Sequence, residues 1–94
     1  MIDWTEQATR QLQQAYDYID LSSGEEIATR VTMNIVASVQ PLATFPMSGR
    51  PGRVTDTREL VVSNTPFIVA YTIKKERIVI LAIYHGAQQW PESF

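Results

Sequence analysis

The sequence predicts an α+β domain: a helical hairpin packed on one face of a small antiparallel-rich sheet, in the order β-α-α-β-β-β. Three observations carry this. Apolar residues recur at spacings of three and four from residue 5 to residue 42, the period of amphipathic helices. After a stretch punctuated by Gly and Pro, the pattern changes to strand-length runs rich in β-branched and aromatic residues. Finally, 94 residues, 45% apolar and 19% charged, are enough for one core and no more, so 1–94 reads as a single domain.

Taken in order, Ile2-Asp3-Trp4 is a candidate short strand. From Thr5 to about Leu21, Ala8, Leu12, Ala15, Tyr16 and Ile19 fall on one helix face, with Gln11, Gln13, Gln14 and Asp17 on the other. Ser22-Ser23-Gly24 breaks the pattern. Ser23 and Glu26 have the spacing of a capping box, which predicts Ser23 as the N-cap of a second helix. In that helix Ile27, Val31, Ile35 and Val39 follow at fours, with Leu42 three further on. Pro41 removes a donor and crowds the preceding turn, so a kink or stop is expected there. So short a connection predicts an antiparallel hairpin. Residues 47–57, MSGRPGRVTDT, read as a loop. Arg58–Ser63, Phe67–Lys74 and Arg77–His85 read as strands, the last two joined by a tight turn at Lys74-Lys75-Glu76-Arg77. Both alternating sets of the last strand are apolar, Ile78, Ile80, Ala82, Tyr84 and Val79, Leu81, Ile83. That predicts a central strand buried on both sides.

Composition removes several functions. There is no cysteine and one histidine, so disulfide frameworks and Cys- or His-built zinc sites are excluded, and neither a metal nor a cofactor is expected. Gly49 and Gly52 in GRPG lack the lysine of a phosphate-binding P-loop. The opening MIDWTEQATRQL carries acids early, unlike a signal peptide, and the longest apolar tract, IVILAIY at 78–84, is too short to span a bilayer. A soluble, cytoplasmic protein without membrane contact is the expectation. A net charge of −2, from 8 basic and 10 acidic residues, argues against a chain-wide grip on nucleic acid and leaves only a local basic patch.

That patch is Arg50, Arg53 and Arg58, three guanidiniums in a Gly/Pro loop and the strand that follows it. Such a set can clamp phosphates or an acidic partner surface, or serve as a solvated loop. His85, at the end of the last strand, has an imidazole suited to proton transfer near neutrality, or to a hydrogen-bonded structural role. Behind it Gln88 and Gln89 are candidates for contact with a nucleotide or a partner backbone, and Trp90 for a clasp on the core. Glu25 and Glu26 are accounted for by the helix start. Glu59 points away from Arg58 on the opposite strand face, and no pair of acids demands a hydrolytic reading.

More specific are four phrases in fixed order: Leu42–Gly49 (LATFPMSG), Gly49–Leu60 (GRPGRVTDTREL), Pro66–Tyr71 (PFIVAY) and Tyr84–Pro91 (YHGAQQWP). With Trp4-Thr5, Ala8, Leu12 and Tyr18-Ile19, they closely resemble the RelE/ParE toxin superfamily, in particular its plasmid-stabilisation-type members. The resemblance covers essentially the whole chain. It implies the β-α-α-β-β-β fold and a cognate antitoxin protein that wraps the toxin, possible in a higher-order complex. It also implies one of two targets. RelE-like members enter the ribosome and cut mRNA; ParE-like members poison DNA gyrase and need no catalytic residues of their own. The cleaving reading, placed slightly ahead, makes His85, Arg58 and Arg53 the catalytic set, with Arg50, Gln88 and Gln89 holding the substrate phosphates. Against the cleaving pattern, Ile68 and Gln88 stand where arginines are expected. Val62, Pro66 and Phe67 replace the polar residues of other cleaving members. Gyrase poisoning, and a binding module that keeps the fold without activity, are the alternatives.

Overall fold

The computed structural model describes residues 1–87, 90–91 and 93–94. Its elements are β1 (Ile2–Trp4), α1 (Glu6–Ser23), α2 (Glu25–Val39), a 3-10 turn (Gln40–Ala43), β2 (Arg50–Pro51), β3 (Arg58–Val61), β4 (Phe67–Lys74) and β5 (Arg77–His85). The five strands form one mixed sheet in the order β1-β5-β4-β3-β2, in which β1 runs parallel to β5 and every other pair is antiparallel. Both helices lie on one face. Among the described residues no helix is long and apolar enough to cross a membrane.

Thr5 starts α1. Its hydroxyl accepts the Ala8 amide hydrogen at 3.1 Å and donates to the Ile80 carbonyl at 2.8 Å, so one side chain both caps the helix and ties it to β5. The predicted apolar stripe then meets the sheet: Ala8 and Ala15 are buried, Leu12 and Ile19 partly so. Ser23 is the last residue of α1 rather than the cap of α2. Gly24 sits between the helices at φ 95° and supplies no capping side chain, because the reversal needs a left-handed residue at that point. In α2, Ile35, Val39 and Leu42 are buried as expected, but Ile27 is exposed and Ala28 takes the inward place. The stop expected at Pro41 is the switch to the 3-10 turn, where its missing N–H costs nothing.

In the sheet, two expectations are corrected. The loop at 47–57 contains the short edge strand β2, whose Arg50 lies opposite Glu59. And β5 does not keep one alternation along its length. Ala70 pairs with Ala82 but Tyr71 pairs with Ile80, so Leu81 is an extra residue bulged out of register. The bulge exchanges the faces: Ile78, Ile80 and Ile83 point to the helices, while Ala82 and Tyr84 join Ala70 on the outer face. The strand is flanked on both sides, by β1 and β4, but the middle of the sheet is β4, buried from Phe67 to Tyr71.

Candidate functional site

On the outer face, away from the helices, the β2–β3 loop folds back on Glu59. This carboxylate is only 3% exposed. Its Oε1 accepts from Arg50 Nη2 at 3.0 Å and Nε at 3.3 Å, and its Oε2 from the Arg53 backbone N–H at 2.9 Å and Nε at 3.2 Å. Burial alone raises a carboxyl pKa. The Arg53 amide, the Arg50 guanidinium and the charge of Arg53 outweigh that and hold Glu59 below its ordinary range. The Arg53 guanidinium also lies 4.0 Å over the Trp90 ring, which packs on Tyr84 at 4.7 Å between centroids. Trp90 is thus a clasp, on the outer cluster of Ala70, Ala82 and Tyr84.

Arg58, one residue from Glu59, faces the helix side. Its Nε donates to the Gly49 carbonyl at 3.0 Å and its Nη2 to that of Met47 at 3.3 Å. Beside it the fully buried Tyr71 hydroxyl accepts the Gly49 N–H at 2.9 Å and donates to the Pro46 carbonyl at 2.7 Å. Gly49 fits only without a side chain, since a Cβ there would stand 2.6 Å from the Tyr71 oxygen. This explains the Pro46-to-Gly49 phrase: it is the seat of Tyr71 and Arg58.

His85 lies at the other end of the sheet, opposite Phe67 in register. Its Nδ1 accepts the Ala87 N–H at 3.1 Å, and its ring meets Phe67 edge to face at 5.9 Å. It borders an open groove between α1 and the sheet, lined by Gln11, Gln14, Ala15, Tyr18, Phe67, Ile83 and His85. Gln11 belongs to the sheet-facing side, contrary to its place in the helical pattern, because its Oε1 accepts the Ile83 N–H at 2.8 Å.

The three arginines and His85 therefore do not converge. Arg50 and Arg53 gather on the outer face, Arg58 on the helix face. Arg58 lies opposite Tyr71 and His85 opposite Phe67, which places them four residues and two strands apart, about 16 Å at ordinary strand dimensions. Gln88 and Gln89 lie outside the described residues. Among the described residues, no three acidic or histidine side chains are grouped to hold a metal. Sequence reasoning missed Glu59 as the centre of the arginine cluster, and Gln11, Gln14, Tyr18 and Phe67 as groove residues. Gln11 and Gln14, one helical turn apart, were the readable sign of the second.

A two-helix hairpin on a five-stranded mixed sheet, closed by an arginine-rich loop and an aromatic clasp, defines a RelE/ParE-type toxin domain. Residues 2–90 match the family model described as the ParE toxin of the type II toxin–antitoxin system, parDE. The chain is 42% identical over 91 residues to the Y4kP protein of Sinorhizobium fredii, described as a candidate toxin, covering 97% of this chain and 93% of that one. A solved structure described as a chromosomal ParDE toxin–antitoxin system from P. aeruginosa superposes with a TM-score of 0.83 at 31% identity, covering 89% of this chain and 92% of that chain. The chain belongs to the ParE toxin family of type II toxin–antitoxin systems.

Proposed function

We propose that the protein arrests growth by poisoning DNA gyrase through surface contact rather than by cutting RNA, and that a cognate antitoxin restrains it. One observation carries the choice of target. Cleavage at a 2′-hydroxyl needs a base, an acid and charge at phosphorus within one substrate's reach. Here Arg50 and Arg53 are engaged by buried Glu59, Arg58 by carbonyl oxygens, and His85 stands about 16 Å from Arg58 by strand spacing. A binding mode that needs no such group suits this arrangement better, and the ParE description of the family points the same way.

The antitoxin reading is supported by apolar surface left open on the hairpin. Leu21 is 90% and Met33 66% exposed, and Met33 borders a groove with Leu12, Thr32, Val36 and Ala37 of about 310 Å³. Exposed apolar residues beside a groove suit a partner's cover, and an amphipathic helix fits such a groove.

Expression without antitoxin is the test. Gyrase poisoning predicts growth arrest with stalled DNA breaks and an SOS response while transcripts stay intact. New mRNA 5′ ends in translating extracts, lost in His85→Gln, with intact DNA, would restore the RNA-cleaving reading with His85, Arg53 and Arg58 in its site and Arg50 on the phosphates. Normal growth would leave a binding module.

A further inference from the structure

The groove beside His85 has a volume of about 460 Å³, within the usual range of small-molecule sites. Among the described residues, no aspartate, glutamate, lysine or arginine lines it. Phe67 and Ile83 form apolar walls, and Ala15 leaves the gap that a longer side chain would fill. The polar groups are positioned. Gln11 gives its oxygen to the Ile83 amide, which leaves its NH2 to donate. His85 is oriented by the Ala87 amide and by the edge-to-face contact with Phe67. Gln14, one turn beyond Gln11, stands at the mouth, and its carboxamide makes no hydrogen bond among the described residues.

This lining selects by chemistry. An anionic ligand finds no lysine or arginine among the described lining residues to neutralise it. A purely apolar one leaves the Gln11 NH2 and the Gln14 carboxamide facing it with no group to bond. A flat, neutral ring with donors and acceptors on its edge satisfies both conditions. We propose that the groove binds a purine base, adenine above all, with its face against the aromatic side chains and its edge read by the Gln14 carboxamide. A carboxamide presents a donor and an acceptor side by side, the complement of adenine N7 and N6, and base faces stack on aromatic rings. With no lysine or arginine among the described lining residues, sugar and phosphate stay in solvent. The recognised unit is the base, carried by a free nucleoside or by an unpaired nucleic-acid strand. The inference stands whichever target the toxin has.

Titration of the isotopically labelled full chain with adenosine, cytidine and a single-stranded oligo-dA, followed by amide NMR shifts, tests it. The expected result is saturable shifts at residues 11–18, 67 and 83–85, with adenosine preferred over cytidine by about tenfold. Gln14→Leu, at an exposed position, should keep the spectrum of the folded protein and weaken adenosine by about tenfold, the scale of one lost bidentate contact. Ala15→Leu should abolish binding by filling the gap; if that core variant fails to fold, Gln14→Leu decides alone. Oligo-dA binding tighter than adenosine identifies a strand as the source, and equal affinity a free nucleoside. No saturable shift at about 10 mM adenosine, shifts scattered away from the groove, or unchanged affinity in Gln14→Leu would overturn the proposal.

Discussion

Replacing Glu59 with glutamine removes the charge at the centre of the arginine cluster and keeps the shape of the side chain. The carboxylate is 3% exposed and receives four hydrogen bonds, three from guanidiniums and one from the Arg53 amide. Breaking a fully buried ion pair costs about 3–5 kcal/mol, because a charge is left stranded in the interior. Here the two guanidiniums are 53% and 46% exposed, so water takes over much of their solvation. What remains is the loss of charge assistance to the amide bond and the inner guanidinium bonds. We expect about 2 kcal/mol, or a fall in Tm of about 8–16 °C for a domain of this size. The loss has a defined pH dependence. The folded-state carboxyl is held below its ordinary value of 4.5. Its contribution is therefore complete above that pH and disappears as pH falls through the depressed folded value. Thermal unfolding of wild type and Glu59→Gln, followed by circular dichroism between pH 7 and pH 3, should show a constant gap near neutrality that closes on acidification. A difference below about 2 °C at pH 7, or a gap that stays open in acid, would refute the argument.

Three further outcomes follow from the same geometry. Tyr71→Phe leaves the Gly49 N–H without its acceptor in the core and should cost about 1–3 kcal/mol, measured by urea unfolding. Thr5→Ala loses the α1 cap and the bond to the Ile80 carbonyl together. It should cost about 1–2 kcal/mol by the same measurement, whereas the exposed pair Arg10–Glu6 on that helix should cost under about 0.5 kcal/mol when broken. Lys75 and Glu76, both at positive φ in the β4–β5 turn, should be improved by Lys75→Asn with Glu76→Gly. That pair suits the turn and should add about 1 kcal/mol; an unchanged or lower Tm would count against the turn geometry.

The helices were legible because burial on one face of a 3.6-residue period leaves a regular trace: Ala8, Leu12, Ala15 and Ile19 all face the sheet. The turn at Lys75-Glu76 was legible from its length alone. The bulge at Leu81 was not, since every residue from Ile78 to Tyr84 is apolar and an inserted residue changes no visible alternation. The three arginines were visible by residue type, but not that Arg50 and Arg53 gather on Glu59 while Arg58 turns to the other face. Glu59 does point away from Arg58, as strand alternation requires. Its partners come from across the ladder, through a two-residue strand hidden in a Gly/Pro loop, and pairing between strands leaves no local periodicity. For the same reason the separation of His85 from the arginines became visible only with the register of β3, β4 and β5.

The pairing of β1 with β5 bears on how the chain reaches its folded state during synthesis. Thr5 is bonded to Ile80, 75 residues later, so β1 has no partner until β5 is available. Local helix formation is fast, but a sheet closed by its two most distant segments waits on the slowest contact in the chain. Until β5 leaves the ribosome, Ala8, Ile35 and Val39 lack the part of their core that Ile78, Ile80 and Ile83 supply. The hairpin can form early; the finished toxin surface cannot. Translation order thus leaves an interval in which the helical hairpin exists without the sheet that completes the domain, and the length of that interval is set by topology rather than by any single residue.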